Sequence, residues 1–534
     1  MYDYVIVGAG SAGCVLANRL TEDPDARVLL LEAGPPDDND LVHIPAAFGS
    51  LYRTDQDWDH STVWEPQCHN RRIYLPRGKV LGGSSSINAM IYIRGNRLDY
   101  DSWRDELGCS GWGYDDLLPY FIRAEDNERG ASELHGSGGP LSVSEGRSRN
   151  RMSAAFLEAA RAYGLPANDD FNGTAQDGVG WYQLTQRNGA RASAAVCYLH
   201  PVVSRANLDV RTRCTVLGLV VEGGRAVGVA GVDAAGAPVE FRAEREVIVS
   251  CGAYDSPKLL MLSGIGRPDE LASLQIELVA ECPQVGGNLQ YHSNVGAVWL
   301  TDREVSLFGA LNDENLARFE NGQGPLTSNV AEVGGFLRTG DALPAPDVQL
   351  HFAPAVFAAE GLVPAQAHGL SAGACVLTPR SRGYVAIGSP DPTAKPIIVH
   401  NYYEDPADMR TAIDGVRTVM EISRQPPLAE WISAPHIVPA SDTEEDIEEH
   451  VRSTTQTLYH PVGTCRMGAD QESVVDLELR VRGVDGLRVI DASVMPTVPR
   501  GNTNAPTIAL AERAADLVRG REPLATPEAA RAGV

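Results

Sequence analysis

The hydrophobic pattern at the start of the chain predicts a strand, a helix and a second strand in close succession. Residues 3–7 form a short apolar run that is typical of a buried strand, and residues 28–31 form another that ends at Glu32. Between them, residues 11–20 have the spacing of an amphipathic helix. This order predicts a βαβ unit before any other element.

The pattern farther along the chain predicts more strands than helices. Three apolar stretches separated by glycine turns indicate strands, at residues 208–221, 226–233 and 239–249. A helix is predicted over 256–263, and residues 300–455 alternate strands with long polar loops. An acidic helix is predicted to begin at Ser441, with Ser441 and Glu444 as a capping box. The Ala- and Pro-rich last dozen residues predict a frayed tail.

A glycine-rich turn, which begins at Gly8, connects the first predicted strand to the helix. Gly8 permits a tight turn, Gly10 lets the backbone approach a pyrophosphate, and Gly13 lets the helix pack closely on the strand. Glu32 stands at the end of the second strand, where a carboxylate accepts hydrogen bonds from ribose hydroxyls. A carboxylate there disfavours a 2′-phosphate, so the motif predicts FAD or NAD rather than NADP.

Composition and charge exclude several classes of partner. The formal net charge of −25 disfavours both nucleic acid and anionic lipid as partners. No apolar run has the length of a membrane span, and the nine cysteines include no CxxC pair. We expect a cytoplasmic protein with no metal site, no disulfide framework and no transmembrane segment.

Several longer segments resemble the glucose-methanol-choline (GMC) oxidoreductases. A second glycine-rich segment has Gly82 and Gly83 followed by three serines, which suits a backbone running close against a flat ligand. With its continuation it resembles the first signature of the family. The further matches are the second signature, the catalytic-histidine segment and the final flavin-contacting stretch, at residues 252–266, 459–464, and 491–496 with 501–506. The resemblance spans residues 2–520 and implies FAD as the cofactor.

The resemblance implies a set of site residues. His460 and Asn502 match the pair that faces the reactive nitrogen of the flavin, and both are expected to be catalytic. Ile87 stands where some relatives attach FAD to a histidine, so we expect non-covalent FAD. The expected cofactor-binding residues are Gly8, Gly10, Ser11, Ala12, Gly13, Glu32, Ala33, Arg77, Gly78, Leu81, Gly82, Ser85, Asn88, Ala89, Val216, Asp491, Ala492, Asn502 and Asn504.

The implied reaction is oxidation of a small-molecule alcohol. The likeness is greatest to bacterial FAD alcohol dehydrogenases that oxidise aliphatic alcohols, so the expected substrate is a primary alcohol and the expected product its aldehyde. Electrons would pass to a quinone or another carrier. Choline dehydrogenase or oxidase activity and an alcohol oxidase that uses O₂ stay open, although Ala89 replaces a serine found in choline-oxidising relatives. A non-redox flavin lyase, such as a hydroxynitrile lyase, also stays open.

The length and the resemblance predict two domains of mixed α/β structure. We expect a Rossmann-like FAD-binding domain from residues 1–155, 205–300 and 455–522. Residues 156–204 and 301–454 are expected to form a substrate-binding domain, a β-sheet roofed by helices. Residues 523–534 form the predicted tail.

Two shorter motifs are interpreted as chance matches. Residues 369–373 spell the G-x-S-x-G of serine hydrolases, which requires a strand before the serine and a helix after it. The residues that follow predict a strand instead. Cys68 and His69 are interpreted as a surface pair, because no further ligands recur at metal-binding spacing.

Overall fold

A seven-stranded sheet joins the N-terminal βαβ unit to distant parts of the chain. The computed structural model describes residues 1–525. The predicted first strand, helix and second strand are confirmed as Tyr2–Val7, Ser11–Leu20 and Val28–Leu31. Tyr2–Val7 pairs in parallel with Val28–Leu31 on one side and with Pro238–Val249 on the other. The strands lie in the order Leu208–Arg211, Val28–Leu31, Tyr2–Val7, Pro238–Val249, Arg225–Val232 and Thr215–Glu222, and Leu487–Val489 also pairs with Pro238–Val249.

The predicted elements of the middle region need two corrections. The stretch 208–221, expected to be one strand, is two, because Arg213 adopts a left-handed φ of 53° between them. The helix expected over 256–263 begins earlier, as Gly252–Leu262. Helix Ser11–Leu20 packs against the C-terminal helix Asn504–Val518.

A second seven-stranded sheet is antiparallel. Its strands lie in the order Ala434–Ile437, Ser293–Leu300, Gly369–Val376, Val348–Ala353, Val333–Leu337 and Gly178–Trp181, and Gln456–Thr457 also pairs with Ser293–Leu300. Helices Arg151–Tyr163 and Pro406–Ser423 pack against this sheet. Gly369–Val376 is buried along its whole length, so the G-x-S-x-G motif lies inside a strand and forms no nucleophile elbow.

Shorter elements connect and flank the two sheets. The other α-helices are Asp40–His43, Arg97–Asp105, Tyr114–Ala124, Pro268–Ser273, Asp313–Phe319, Pro426–Ala429 and Glu444–Thr454. The short strands are His60–Ser61, Tyr74–Leu75, Glu125–Asn127, Leu141–Glu145, Gln183–Leu184, Gln186–Arg187, Ala190–Arg191, Ile265–Gly266, Ala280–Glu281, Tyr384–Ala386 and Ile397–Val399. Single helical turns include Pro45–Leu51, Gly83–Ser86, Pro325–Thr327 and Ala359–Gly361.

The predicted capping box of the acidic helix is wrong. The helix begins at Glu444, and its N-cap is Thr443, whose hydroxyl accepts a hydrogen bond from the Asp446 N–H at 3.3 Å. The Ser441 hydroxyl instead donates to the Asp446 carboxylate. A threonine next to the first helical turn satisfies the free N–H groups there, so the upstream serine does not cap the helix.

The two-domain division stays a prediction. The strands of the first sheet all lie within the ranges expected for the FAD-binding domain, whereas Ser293–Leu300 and Gln456–Thr457, expected in the same domain, pair in the second sheet. Residues 526–534 of the predicted tail lie outside the described residues. Across residues 1–525, none of the helices is both long and apolar enough to cross a membrane.

Candidate active site

A cavity of about 650 Å³ lies between the two sheets. On one side it is lined by the ends of the parallel strands, including Val7, Leu31 and Ser250. On the other side it is lined by residues of the second sheet, including His351 and Gly373. The carboxyl edge of a parallel sheet is where open α/β folds bind ligands, so this cavity is the candidate active site.

The first glycine turn forms one end of the cavity. Gly8 has a φ of 98°, and a Cβ on Gly13 would lie 1.9 Å from the Gly8 carbonyl oxygen, so the helix can approach the strand only without a side chain there. Helix Ser11–Leu20 begins with no side-chain cap on its first N–H groups. Free N–H groups and a positive helix end at a cavity wall are suited to bind a phosphate.

Glu32 is buried beside this turn and lines the cavity. Its two carboxylate oxygens accept hydrogen bonds from the Ala9 N–H at 2.9 Å and the Gly34 N–H at 2.8 Å. Burial raises the pKa of Glu32 to about 7, and the two N–H donors limit that rise. Each oxygen keeps a lone pair for a further donor, as a ribose hydroxyl would supply.

The second glycine segment packs directly on the first. The Gly82 N–H donates to the Ala9 carbonyl at 2.8 Å, and a Cβ on Gly83 would lie 2.7 Å from the Gly10 Cα. Gly83 also has a φ of 54°. The two motifs, some seventy residues apart in sequence, therefore build one continuous wall of the cavity.

His460 lies in the cavity wall and forms a hydrogen bond through each ring nitrogen. Its Nε2 is 3.2 Å from Nδ2 of Asn502, and its Nδ1 is 3.0 Å from Nδ1 of His292. The other nitrogen of His292, Nε2, is 3.0 Å from the Leu377 carbonyl oxygen. The two residues expected to be catalytic are thus adjacent, and they are joined to a second histidine that the sequence analysis did not assign.

This chain of contacts determines where the protons lie. A carbonyl oxygen can only accept, so His292 donates from Nε2 and, being neutral, accepts at Nδ1. His460 must then donate from Nδ1, which leaves its Nε2 without a proton. Burial lowers the pKa of His292 to about 3, and burial together with the nearby histidines lowers that of His460 well below its usual value. Both rings are therefore neutral at neutral pH.

The strand register explains why His292 meets Leu377. His292 directly precedes strand Ser293–Leu300, and Leu377 directly follows Gly369–Val376. These strands are antiparallel neighbours in which Asn294 pairs with Cys375, so continuing the register by two positions places His292 opposite Leu377.

Comparison with known proteins identifies the family. The sequence profiles of the N- and C-terminal regions of GMC oxidoreductases match residues 2–294 and 379–511. The chain is a GMC oxidoreductase. It is 41% identical to the alcohol dehydrogenase [acceptor] of Pseudomonas putida over 99% of this chain and 98% of that protein. It is 44% identical to the oxygen-dependent choline dehydrogenase of Paraburkholderia xenovorans over 98% of this chain and 95% of that protein.

Solved structures agree with this assignment. The crystal structure of pyridoxine 4-oxidase from Mesorbium loti superposes with a TM-score of 0.90 and 32% identity, covering 98% of this chain and all of that one. The expected α/β fold is thereby confirmed. GMC oxidoreductases are FAD-binding flavoproteins, so FAD is the cofactor of this chain.

Most of the expected cofactor-binding residues line the cavity of this GMC oxidoreductase. They are Gly8, Gly10, Ser11, Ala12, Glu32, Ala33, Arg77, Gly78, Ser85, Asn88, Ala89, Val216, Asp491, Ala492, Asn502 and Asn504. Gly13, Leu81 and Gly82 do not line it and instead shape the backbone behind its wall. Ile87 is buried in a separate apolar cluster.

Two polar residues on one strand of the second sheet were missed by the sequence analysis. Gln349 donates from Nε2 to Oδ1 of Asn502 at 3.2 Å, which fixes the orientation of that amide. His351 lines the cavity, and neither of its buried ring nitrogens has a hydrogen-bond partner among residues 1–525. Burial lowers the pKa of His351 to about 4, so its ring is neutral. The sequence signal that could have identified them is two polar residues, two positions apart and hence on one face, in an otherwise apolar strand.

Three non-glycine residues that line the cavity have a strained backbone. Met90, Val330 and Tyr459 all line it and have φ values of 58°, 70° and 70°. A left-handed conformation is costly for such residues, above all for the β-branched valine, and it persists only where surrounding contacts impose it. The Tyr459 carbonyl, for example, accepts a hydrogen bond from Arg77 Nη1 at 2.9 Å.

The potential metal-binding side chains of the described residues are dispersed. Within residues 1–525, no cluster of three or more potential metal-binding side chains occurs. The interpretation of Cys68 and His69 as a surface pair is wrong for Cys68. The ring of His69 is exposed and contacts the Glu449 carboxylate at 3.0 Å, but Cys68 is fully buried.

Proposed function

We propose that this GMC oxidoreductase oxidises a primary aliphatic alcohol to its aldehyde, with His460 as the base. The observation that carries the proposal is the cavity-lining pair of His460 and Asn502, in which Nε2 of the neutral imidazole carries no proton. An imidazole in this state accepts a hydroxyl proton. The 41% identity to an alcohol dehydrogenase over nearly the full length of both chains supports the same reaction.

The residues at the first-sheet side of the cavity fit FAD. The uncapped start of helix Ser11–Leu20 would bind the pyrophosphate, since its free N–H groups face a wall where Gly10 leaves open space. The oriented carboxylate of Glu32 would accept hydrogen bonds from a ribose. The Gly82–Gly83 backbone has no side chains to obstruct a flat ring. Because the alkyl side chain of Ile87 has no atom that could bond to a flavin, we propose that FAD is held without a covalent bond.

His460 and Asn502 would act on the same hydroxyl group. A substrate hydroxyl would replace the direct contact between His460 and Asn502. It would donate to Nε2 of His460 and accept from Nδ2 of Asn502, so the oxygen stays hydrogen-bonded as its proton leaves. Bound FAD supplies the acceptor for the hydride from the carbon that bears this hydroxyl. His292 would accept a hydrogen bond from the Nδ1–H of His460 and so keep that proton on Nδ1. A positioned base of this kind accelerates a reaction by about 10²–10⁴-fold.

His351 would be a second donor to the substrate oxygen. Its ring is buried at the cavity wall without a partner, and an unpaired buried polar group costs about 1–3 kcal/mol. An alcohol oxygen would satisfy that ring, so part of the cost would be relieved when substrate binds.

The charges around the cavity favour an aliphatic alcohol over choline. Among the described residues that line it, the carboxylates are Glu32, Asp255 and Asp491, and all three lie on elements next to the first sheet. The second-sheet side therefore offers no negative charge to a quaternary ammonium group. A choline substrate is the second candidate, because the 44% identical relative is a choline dehydrogenase.

One anaerobic experiment tests the function. The purified flavoprotein is mixed with primary alkanols, choline and a cyanohydrin, and flavin absorbance is followed. We expect bleaching by alkanols, with reduction slowed about 10²–10⁴-fold in His460→Ala while FAD stays bound. Equal rates in the variant and the parent would remove His460 from this role.

The same panel separates the competing reactions. Cyanohydrin cleavage with an unreduced flavin would replace the proposal by a lyase function, and bleaching by choline alone would favour the second candidate. We propose a quinone or another carrier as the electron acceptor. Rapid reoxidation of the bleached protein by air would favour O₂ instead.

A further inference from the structure

A second, smaller cavity of about 230 Å³ adjoins the one that contains His460. Three apolar side chains, Phe48, Val330 and Phe357, line both cavities and stand between them. The other described lining residues carry no charge, and Ser50 is the one polar side chain among them. The smaller cavity therefore continues the larger one as an apolar compartment on its second-sheet side.

The outer rim of this compartment exposes large apolar side chains. Phe308, Leu311 and Val363 line it, and they are 41%, 54% and 59% exposed. Scattered exposed apolar residues are ordinary, but three around one opening form an apolar entrance. An apolar chain entering there would meet only one polar side chain, that of the exposed Ser50.

The wall between the two cavities is rigid on one side. Val330 is held in its left-handed conformation because its N–H donates to the Ser328 hydroxyl, which itself donates to the buried Glu332 carboxylate at 2.7 Å. The neighbouring Asn329 donates to the Ala89 carbonyl at 3.0 Å. Facing this fixed valine, the Phe357 side chain is only partly buried.

We propose that the smaller cavity binds the alkyl chain of the alcohol substrate. This inference rests on the proposed function, because the hydroxyl must lie at His460. The remainder of the substrate must then extend from the reaction centre, and the uncharged compartment that shares Val330 and Phe357 with the main cavity is the adjoining space for it. The occupant is therefore an unbranched aliphatic chain long enough to pass these two residues.

Transfer free energy gives the expected dependence on chain length. Burying each additional methylene group strengthens binding by about fourfold. Affinity should rise by up to this factor per carbon once the chain passes Val330, and it should level off when the compartment is filled. A cavity that binds only the hydroxyl end would show no such series.

A blocking variant tests the proposal. Ala46 is half-buried, lines the compartment and packs at the edge of a small apolar cluster, so Ala46→Trp would fill the compartment from its wall. Ala131 is exposed elsewhere, so Ala131→Trp is the matched control. Binding of 1-butanol to 1-decanol is measured by anaerobic calorimetry in FAD-loaded His460→Ala, in which we expect flavin reduction to be about 10²–10⁴-fold slower. Flavin reduction is measured in the parent.

We expect affinity to increase with chain length in His460→Ala alone and in His460→Ala that also carries Ala131→Trp. With Ala46→Trp, 1-butanol should bind unchanged and 1-decanol at least tenfold more weakly. Chain-independent binding, or equal loss for both alcohols, would overturn the inference. If long alcohols bind with this pattern but none bleaches the flavin, the proposed function fails and the alkyl site stands.

Sedimentation distinguishes an alkyl-binding site from a rim that contacts a second copy of the chain. Leu311→Ser and Val363→Ser remove exposed rim surface, and we expect both variants to sediment as the parent does. Dissociation of an oligomer in these variants, with alkanol binding unchanged, would assign the rim to subunit contact and overturn the inference.

Discussion

Replacing His292 with leucine should slow flavin reduction although His292 does not line the cavity. The substitution removes the acceptor for the Nδ1 proton of His460 and leaves a ring-sized apolar group in its place. Without this acceptor, the tautomer of His460 that carries its proton on Nδ1 is no longer stabilised by a hydrogen bond. The alternative tautomer, protonated on Nε2, can no longer accept a proton from a substrate hydroxyl.

The magnitude follows from the lost hydrogen bond. A buried N–H left without an acceptor costs about 1–3 kcal/mol, and His292→Leu imposes this cost on the competent tautomer. Asn502, which donates to Nε2, opposes the shift to the other tautomer, so this cost sets an upper bound. With RT near 0.59 kcal/mol, the competent fraction of His460 falls by at most roughly 5- to 150-fold. The rate of flavin reduction should fall by the same factor, since proton transfer requires that tautomer.

His292→Gln provides the rescue variant. A glutamine amide can donate to the Leu377 carbonyl and accept from His460 Nδ1, as His292 does. We expect its reduction rate to stay within a few-fold of the parent. His450→Leu is the stability control, because His450 is also buried and contacts a carbonyl oxygen, that of Gly296 at 3.0 Å.

The assay is anaerobic stopped-flow reduction with a saturating primary alcohol, from pH 6 to 9. FAD content and the melting temperature are measured for each variant. The reasoning is refuted if His292→Leu, with FAD bound, reduces its flavin as fast as the parent. It is equally refuted if His292→Gln is as slow as His292→Leu, because the residue would then act through packing rather than through the tautomer.

Three further predictions concern the cofactor site and stability. Gly13→Ala should destabilise the FAD-free protein by at least about 1–3 kcal/mol, measured by urea unfolding, because the added Cβ would lie 1.9 Å from a backbone oxygen; Gly10→Ala, with nothing closer than 4.0 Å, should keep that stability and lose FAD affinity. Acid precipitation should leave FAD in the supernatant, and flavin in the pellet would reveal a covalent bond. Although burial lowers the pKa of His135, hydrogen bonds to Asp170 and Glu125 raise it to about 8. Protonated His135 should stabilise the fold by at most about 2 kcal/mol, fully below about pH 6.5, and this contribution should be lost as pH rises through 8. Urea unfolding of the parent and of His135→Gln at several pH values would measure the contribution to the free energy of unfolding.

Local patterns predicted the parts of the fold that depend on nearby residues. The βαβ unit is encoded within 32 residues, where apolar spacing, glycines and Glu32 all indicate the same structure. The split at Arg213 was not predicted, because a left-handed residue other than glycine leaves no pattern in the sequence. Its backbone N–H bonds to the Gly34 carbonyl, a tertiary contact that periodicity does not contain.

The candidate site was predictable only in part for the same reason. Motifs located His460 and Asn502, but they carry no information about which ring nitrogen is protonated. That depends on His292, which is 168 positions away, and on a carbonyl 85 positions beyond His292. Sequence spacing cannot bring three such segments together, whereas the pairing of two antiparallel strands does.

The two sheets therefore have separate roles in one proton pathway. The first sheet carries the glycine turns that would hold FAD, and the segments with His460 and Asn502 pack beside it. The acceptor that orients His460 and the glutamine that orients Asn502 both come from the second sheet. Because the register of Ser293–Leu300 against Gly369–Val376 fixes His292 opposite Leu377, a shift of that register by one residue would break the donor chain. His460, the base that we propose, is thus held in the competent tautomer only while the two sheets are correctly packed, which couples the protonation state of this site to the tertiary fold.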